Sequence, residues 1–231
     1  MAENMKVLAR ALCPPILWDA LIAARRKSFV RIHSEDGGRQ DLDLYWDKEM
    51  AEVLDRWGEG TTWAEIEMLM IARSGRVLDI ACGTGAVMKQ LEKFSELELH
   101  GCDISDALVG RAAEIGLPGE RLTICDASQM PYPDLDFDFS YSIGSLEHFT
   151  SDGLTKTIAE AARVTKLASF HMVPTSRSGR DEGWLKTYQS MYNCSVGWWR
   201  ERFAAAFREV HVMESRWNDH ISVGKWFACV K

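Results

Sequence analysis

Residues 77–85 read VLDIACGTG, and this stretch decides the fold. The apolar residues on either side of Asp79 predict a buried strand. Gly83 and Gly85 follow it in a turn, where glycine permits positive φ and lets the backbone approach a ligand closely. A helix is predicted directly after the turn. A strand, a glycine turn and a helix in this order predict a ligand site at the carboxyl end of the strand.

Strands alternate with helices outward from this turn. We predict strands at 76–80, 97–102, 121–125, 136–142 and 167–173, and two final strands near 208–214 and 224–230. We predict helices at 86–94, 106–115, 152–164 and 196–206, preceded by helices at about 46–57 and 62–73. The alternation predicts an α/β fold: a Rossmann-like, doubly wound, mostly parallel seven-stranded sheet with helices on both faces.

Acidic residues around the glycine turn indicate which cofactor it binds. Asp103 ends the predicted second strand, 20 residues after Gly83, where a carboxylate can accept both hydroxyl protons of a ribose. Met88 stands where a dinucleotide-binding GxGxxG turn has its third glycine. Asp79 would repel a pyrophosphate but suits an ammonium group. The site therefore favours S-adenosylmethionine, which carries an amine and a sulfonium, over NAD.

Residues 77–85 resemble the first motif of the class I S-adenosylmethionine-dependent methyltransferases. Ala81 stands where glycine is commoner in that motif. Asp103 in GCDIS resembles the family's ribose-binding acid. Asp126 in CDA resembles the acid that meets the adenine amino group, and residues 136–148 (DFDFSYSIGSLEH) resemble the fourth strand and the turn after it.

The resemblance is close over residues 76–173 and weak over 195–231. It implies S-adenosyl-L-methionine as cofactor, with a tryptophan before the first strand as part of a lid. The implied cofactor contacts are Trp63, Asp79, Ala81, Cys82, Gly83, Thr84, Gly85, Asp103, Ile104, Asp126, Ala127, Ser128, Ser142 and Ile143. Two of them, Asp103 and Asp126, have an alternative interpretation as helix caps or surface turns.

Three side chains are candidates to accept a proton from the methyl acceptor. His148 and Glu147 follow the predicted fourth strand in SLEHF, and many small-molecule methyltransferases resemble this with a histidine in the same turn. His171 lies near the carboxyl end of the predicted fifth strand. Histidine suits proton transfer at neutral pH. A capping or packing role stays open for each, and a core position is the alternative for His171.

Acceptor contacts are expected from an acceptor-side insertion at residues 174–200, between the fifth strand and the last helix. Its aromatic faces and polar donors suit a sugar ring. The candidates are Arg177, Trp184, Tyr188, Tyr192 and Asn193. The alternative is that this segment only covers the cofactor and does not contact the acceptor. With the basic N-terminus, the insertion is loosely similar to methyltransferases of bacterial surface-glycan assembly, which implies a sugar or glycan hydroxyl or amine as acceptor and a role in polysaccharide biosynthesis.

Two other functions stay open. The first is methylation of a protein or another macromolecule. A net charge of −7 argues against a nucleic-acid partner, and residues 142–145 read SIGS rather than the NPPY-like motif of many enzymes that methylate amino groups of DNA and protein. The second is a non-catalytic module that binds S-adenosylmethionine.

The 231 residues suit one domain at 42–231, preceded by a helical extension and linker at 1–41. Residues 1–31 hold six basic and two acidic side chains, which gives +4. This segment would contact an anionic membrane surface, or pack on the domain or on a second copy in a homodimer. The six cysteines form no CxxC pair, so we expect no metal site. We expect a cytoplasmic protein because no secretory signal or membrane-spanning run is apparent, and a peripheral location at the inner membrane surface is the alternative if residues 1–31 contact the membrane.

Overall fold

The computed structural model describes residues 40–231. Seven strands form one sheet: β1 (Gly75–Ile80), β2 (Leu97–Asp103), β3 (Leu122–Ile124), β4 (Phe137–Ile143), β5 (Thr165–Ser176), β8 (Glu209–Asn218) and β9 (Ser222–Val230). A separate two-stranded sheet pairs β6 (Trp184–Leu185) with β7 (Met191–Tyr192). The α-helices are α1 (Lys48–Leu54), α2 (Thr62–Met70), α3 (Ala86–Leu91), α4 (Asp106–Glu114), α5 (Ser151–Val164) and α6 (Val196–Ala204). Short 3-10 helices lie at Leu42–Trp46, Gly119–Arg121 and Leu146–His148.

The large sheet has the strand order β3-β2-β1-β4-β5-β9-β8, and the predicted fold class is confirmed. Strands β1 to β5 pair in parallel, whereas β9 runs antiparallel between β5 and β8. The chain order reverses between β1 and β4. Helices diverge from the sheet at such a switch point, so the carboxyl ends of β1, β2 and β4 border a crevice.

Helices pack on both faces of the sheet because consecutive residues of the central strands, which point to opposite faces, are apolar and buried. Leu78 and Ile80 of β1 belong to one apolar cluster, together with Trp199 and Phe203 of α6. Val77 belongs to the cluster on the other face, with residues of α2 and α3. A parallel strand covered on both faces needs this continuous apolar character.

The predicted helix signals explain where α4 begins and ends. The Ser105 hydroxyl accepts a hydrogen bond from the Leu108 amide, so Ser105 caps the helix. Gly116 follows the helix with φ +92°, a conformation that ends helices readily because glycine has no Cβ.

The segment at 174–200 differs from the expected insertion. Strand β5 continues to Ser176, since it pairs with β9 as far as Ser222. The chain then forms the β6–β7 hairpin before α6 begins. Residues 1–39 of the predicted extension and linker at 1–41 lie outside the described residues, and the membrane or packing role of residues 1–31 stays a prediction. No helix within 40–231 has the length and apolar character that crossing a bilayer requires.

Candidate active site

A cavity of about 620 Å³ lies at the carboxyl ends of β1, β2, β3 and β4. Residues of the glycine turn line it. Residues of α1 and of the loop between β6 and β7 line it as well. Five acidic residues line it: Asp79, Asp103, Asp126, Glu147 and Asp219. Among the described lining residues there is no lysine or arginine. The cavity therefore suits a cation better than a phosphate.

The two glycines of the turn have different roles. A Cβ on Gly83 would have only the Leu54 side chain near it, at 3.7 Å, so the backbone there is open to a ligand. A Cβ on Gly85 would lie 2.4 Å from Leu117 Cδ1 and 2.9 Å from Ala112 Cβ. Gly85 is therefore needed for packing against α4, and it does not line the cavity. Ala81 precedes them with φ +57°, which strains a residue that carries a Cβ.

Asp103 joins the glycine turn to the end of β2. Its Oδ2 accepts a hydrogen bond from the Gly83 amide at 2.9 Å, and its Oδ1 accepts one from the Ser105 amide at 3.0 Å. Burial raises the pKa of Asp103, and the backbone hydrogen bonds oppose part of that effect. Asp103 is not the cap of α4, because Ser105 fills that position. Each carboxylate oxygen keeps a further lone pair for a ligand hydroxyl.

Asp79 and Asp126 also line the cavity. Burial raises the pKa of Asp79 far above its usual range, the Tyr141 hydroxyl opposes that effect, and the charge of Asp103 adds to it. A bound cation would keep Asp79 ionised. Asp126 Oδ1 accepts a hydrogen bond from the Ser128 amide at 2.8 Å, so it holds the turn after β3 as well as facing the cavity.

Glu147 and His148 line the same cavity from the 3-10 helix after β4. His148 Nδ1 lies 2.9 Å from the Ser190 carbonyl oxygen. Because a carbonyl only accepts, Nδ1 carries the proton and Nε2 presents a lone pair. Nε2 lies 3.6 Å from Glu147 Oε1. Burial lowers the pKa of His148 to about 4 and raises the pKa of Glu147 to about 8.

A strap at residues 40–46 meets the loop at 187–191 across the cavity. Asp41 Oδ2 accepts a hydrogen bond from the Ser190 amide at 2.8 Å. The Gln189 side-chain amide donates to the Tyr45 hydroxyl at 2.9 Å. The first bond holds Ser190, whose carbonyl bonds His148, so the strap lines the cavity and also supports the residue that positions this histidine.

Comparison with known proteins agrees with this geometry. Residues 77–167 match a family model described as a methyltransferase domain. Residues 77–167 are therefore a methyltransferase domain, similar to those of the class I S-adenosylmethionine-dependent methyltransferases. The acid-lined cavity fits the cofactor of that family, since a sulfonium and an ammonium group suit carboxylates whereas a phosphate does not.

Two curated relatives act on different kinds of acceptor by name. The 27-O-demethylrifamycin SV methyltransferase of Amycolatopsis mediterranei (strain S699) is 30% identical over 142 residues, 57% of this chain and 51% of that protein. The protein named probable tRNA methyltransferase 9B of Mus musculus is 38% identical over 89 residues, 38% of this chain and 19% of that protein. The chain thus spans about half of the first relative's length and about a fifth of the second's.

A solved structure supports the fold independently. Phosphoethanolamine N-methyltransferase 2 of Haemonchus contortus, in complex with S-adenosyl-L-methionine, superposes with a TM-score of 0.58 at 17% identity. The match covers 73% of this chain and 51% of that one. At this identity the likeness concerns the methyltransferase fold alone.

Most of the predicted cofactor contacts of this methyltransferase domain line the cavity. They are Asp79, Ala81, Cys82, Gly83, Thr84, Asp103, Ile104, Asp126, Ala127 and Ile143. Four predicted contacts do not line it: Trp63, Gly85, Ser128 and Ser142. The Trp63 indole N–H donates to the Trp57 carbonyl at 2.7 Å, so Trp63 supports the ring that lines the cavity instead of lining it. The Ser142 hydroxyl is buried against His171.

His171 lies in the core and not in the cavity. Its Nδ1 and Nε2 each lie 2.8 Å from a serine hydroxyl, those of Ser142 and Ser169. Its ring stacks on Phe203 with centroids 4.9 Å apart. The prediction of His171 as a base is therefore wrong, because β5 directs this side chain towards α6 rather than towards the crevice.

Only Tyr188 of the predicted acceptor contacts lines the cavity. Trp184 and Tyr192 are buried in an edge-to-face contact within the hairpin, with centroids 4.9 Å apart. The Asn193 amide donates to Glu182 Oε2 at 2.8 Å. Arg177 donates to the Asp219 carbonyl at 2.7 Å, which holds the turn between β8 and β9. None of these four side chains lines the cavity.

Sequence reasoning missed several cavity residues. Tyr45, Trp57, Gln189 and Trp217 line it, and they come from segments distant in the chain. Gly144 has φ +63°, and a Cβ there would lie 2.3 Å from the Trp57 ring. The glycine after β4 was a signal for this close approach, although nothing local to it identifies which ring approaches.

Proposed function

We propose that this protein transfers the methyl group of S-adenosylmethionine to a hydroxyl or amine of a small-molecule acceptor. One observation carries the proposal: Glu147 and His148 line the same cavity as the glycine turn and the strand-end acids. Buried ionisable groups with shifted pKa values beside a cofactor cavity are typical of catalytic sites. The rifamycin relative, named for a small-molecule substrate, supports this choice.

The chain's own residues fit the parts of the cofactor. Asp103 would accept the ribose hydroxyls, Asp126 would meet the adenine side, and Asp79 would hold the ammonium group near Gly83. When bound, S-adenosylmethionine supplies a methyl group already activated by its sulfonium. The protein then needs only to orient the acceptor, exclude water and receive a proton.

Glu147 and His148 are the groups that would receive that proton. The Ser190 carbonyl keeps the His148 proton on Nδ1, so Nε2 is free to accept. Glu147 as a carboxylate would accept a proton more strongly, because burial raises its pKa to about 8. Both groups are held by the 3-10 helix at the end of β4, which limits their movement.

The covered cavity favours a small acceptor over a macromolecule. The strap at 40–46 and the loop at 187–191 bond to each other through Asp41–Ser190 and Tyr45–Gln189. The cavity of about 620 Å³ would hold the cofactor and the acceptor together, which leaves room for a small acceptor only. A sugar or glycan acceptor is a narrower form of this proposal, with Tyr188 as its remaining aromatic support. Polysaccharide biosynthesis, a homodimer and a cytoplasmic location stay predictions.

Transfer of a radiolabelled methyl group tests the proposal. The full chain would be incubated with methyl-labelled S-adenosylmethionine and panels of small amines, alcohols, phenols and sugars, and in parallel with bulk tRNA and protein. We expect label in at least one small molecule, with Glu147→Gln strongly reduced. Glu201→Gln is the matched control, because Glu201 is exposed on α6 and outside the cavity. Label found only in RNA or protein, or cofactor binding with no transfer, would contradict the proposal.

A further inference from the structure

Glu147 has an oxygen that lacks a donor. The side chain is 1% exposed and lines the cavity. Within residues 40–231, no group donates a hydrogen bond to its Oε2. Burying a polar atom without a partner is costly, on the order of 1–3 kcal/mol. This oxygen is therefore placed to receive a hydrogen from a ligand.

The charge around Glu147 selects the sign of that ligand. The Tyr45 phenol lies within electrostatic reach of Glu147, Asp103 and Asp41, and burial together with these charges raises its pKa. The described part of the cavity wall carries no cationic side chain that could pair with an anionic group of the acceptor. A carboxylate or phosphate on the acceptor would be repelled here, whereas a cation would be attracted.

Two acceptor atoms lie side by side at this place. Glu147 Oε1 is 3.6 Å from His148 Nε2, whose lone pair is free because Nδ1 donates to Ser190. A hydroxyl has one hydrogen, so it can donate to only one of them and would leave Glu147 protonated. A protonated amine has at least two and can donate to both.

We propose that the methyl acceptor is a primary or secondary amine, bound in its ammonium form by Glu147 and His148. This inference rests on the proposed function and names its substrate class. The ammonium favours the ionised carboxylate of Glu147. One proton then passes from the ammonium nitrogen to that carboxylate, which frees the nitrogen lone pair. The new N–C bond forms as the C–S bond breaks, and sulfur keeps the electron pair.

The number of protons released when the ligand binds can be measured without turnover. Glu147 is mostly protonated at pH 7 in the free protein, because burial raises its pKa to about 8. The groups facing it are His148 on its own 3-10 helix and Tyr45 on the strap, with Asp41 beyond them. His148 and Tyr45 stay neutral at this pH. Binding of an ammonium ion should therefore release close to one proton from Glu147.

Calorimetry with a matched pair of probes tests the site. Benzylamine and benzyl alcohol share one ring and differ in the group that would reach Glu147. We expect the full chain at about pH 7 to bind benzylamine at least about tenfold more tightly, the effect of one charge-assisted hydrogen bond. Titrations in two buffers of different ionisation enthalpy should show proton release with the amine only. Glu147→Gln should lose both the preference and the release, and Glu201→Gln should keep them.

Equal affinity for the two probes, or a preference that survives in Glu147→Gln, would overturn the inference. Proton release by the unaltered protein needs no variant, so the test stands even if Glu147→Gln does not fold. Titration of S-adenosylmethionine into the same samples separates the two proposals. Absent cofactor binding with an intact amine preference contradicts the proposed function, whereas cofactor binding without an amine preference contradicts only the substrate class.

Discussion

The Gly83 backbone amide donates a hydrogen bond to Asp103 Oδ2 across 2.9 Å. The bond joins the turn after β1 to the end of β2, two parallel strands that pair from Gly75 to Ile80. Asp103 thereby holds the open backbone at Gly83 in place while it lines the cavity itself. We propose that the same acid, which supports the glycine turn, is also a partner for the cofactor.

His171 is expected to stabilise the fold and to take no part in catalysis. His171→Ala removes a ring that stacks on Phe203 and leaves the Ser142 and Ser169 hydroxyls without that partner. Urea unfolding should show a loss of about 2–4 kcal/mol. His211→Ala, at an exposed position of β8, should change the stability by less than about 0.5 kcal/mol. A large loss of turnover at unchanged stability would contradict this and indicate that His171 takes part in catalysis.

His148→Ala should lower turnover much more than it lowers cofactor affinity. The variant removes the lone pair of Nε2 that faces Glu147. Because the proton itself would pass to Glu147, the loss is that of one hydrogen bond to a charged acceptor, about 1.5–3 kcal/mol or roughly 10- to 150-fold in rate. Steady-state assays with the labelled acceptor and calorimetry with S-adenosylmethionine measure the two effects separately. Equal turnover in the two proteins would contradict the role of His148 as a second partner of the acceptor nitrogen.

Glu147→Gln should make the stability of the protein less sensitive to alkaline pH. The pKa of Glu147 is raised from 4.5 to about 8 in the folded state. Its contribution to stability is therefore fully present below pH 4.5 and lost as the pH rises through about 8. Between about pH 5 and about pH 9, the variant should gain about 1–3 kcal/mol relative to the unaltered protein, measured by urea unfolding. The effect of His148 runs the other way, but it is common to both proteins. Parallel stability profiles would contradict the assigned burial of a neutral Glu147.

Ala81→Gly should stabilise the fold. Ala81 has φ +57°, where a Cβ costs about 1–2 kcal/mol, and glycine loses part of that gain through its more flexible unfolded chain. The expected net gain is about 0.5–1 kcal/mol by urea unfolding. Ala113→Gly is the matched control, because Ala113 is exposed in α4 and should lose about 0.5–1 kcal/mol. A loss in both variants would mean that the left-handed conformation at 81 carries no strain.

The side of the cavity formed by the glycine turn and the strand-end acids was predictable because its signals are local. The apolar strand, Gly83 and the acid at the next strand end lie within 27 residues, from Val77 to Asp103. Their relative placement then follows from parallel pairing of consecutive strands. The direction of His171 was not predictable, because β5 is buried on both faces and its sequence does not alternate between apolar and polar residues.

The acceptor half depends on contacts between distant segments. The hydrogen bond from the Ser190 amide to Asp41 joins residues 149 positions apart in the chain, and no sequence pattern near either residue predicts it. Strands β6 and β7 have two residues each, too few to show a period. Trp57 and Trp63 lie six positions apart, and only packing decides that Trp57 lines the cavity.

Calorimetric titration of S-adenosylmethionine into the full chain and into Asp103→Ala tests the cofactor site most directly. The unaltered protein should bind the cofactor, and the variant should lose roughly 1–3 kcal/mol of binding free energy, the scale for hydrogen bonds to a charged group. Glu201→Gln should bind as the unaltered protein does. Equal affinity in Asp103→Ala, or no binding by the unaltered chain, would contradict the account.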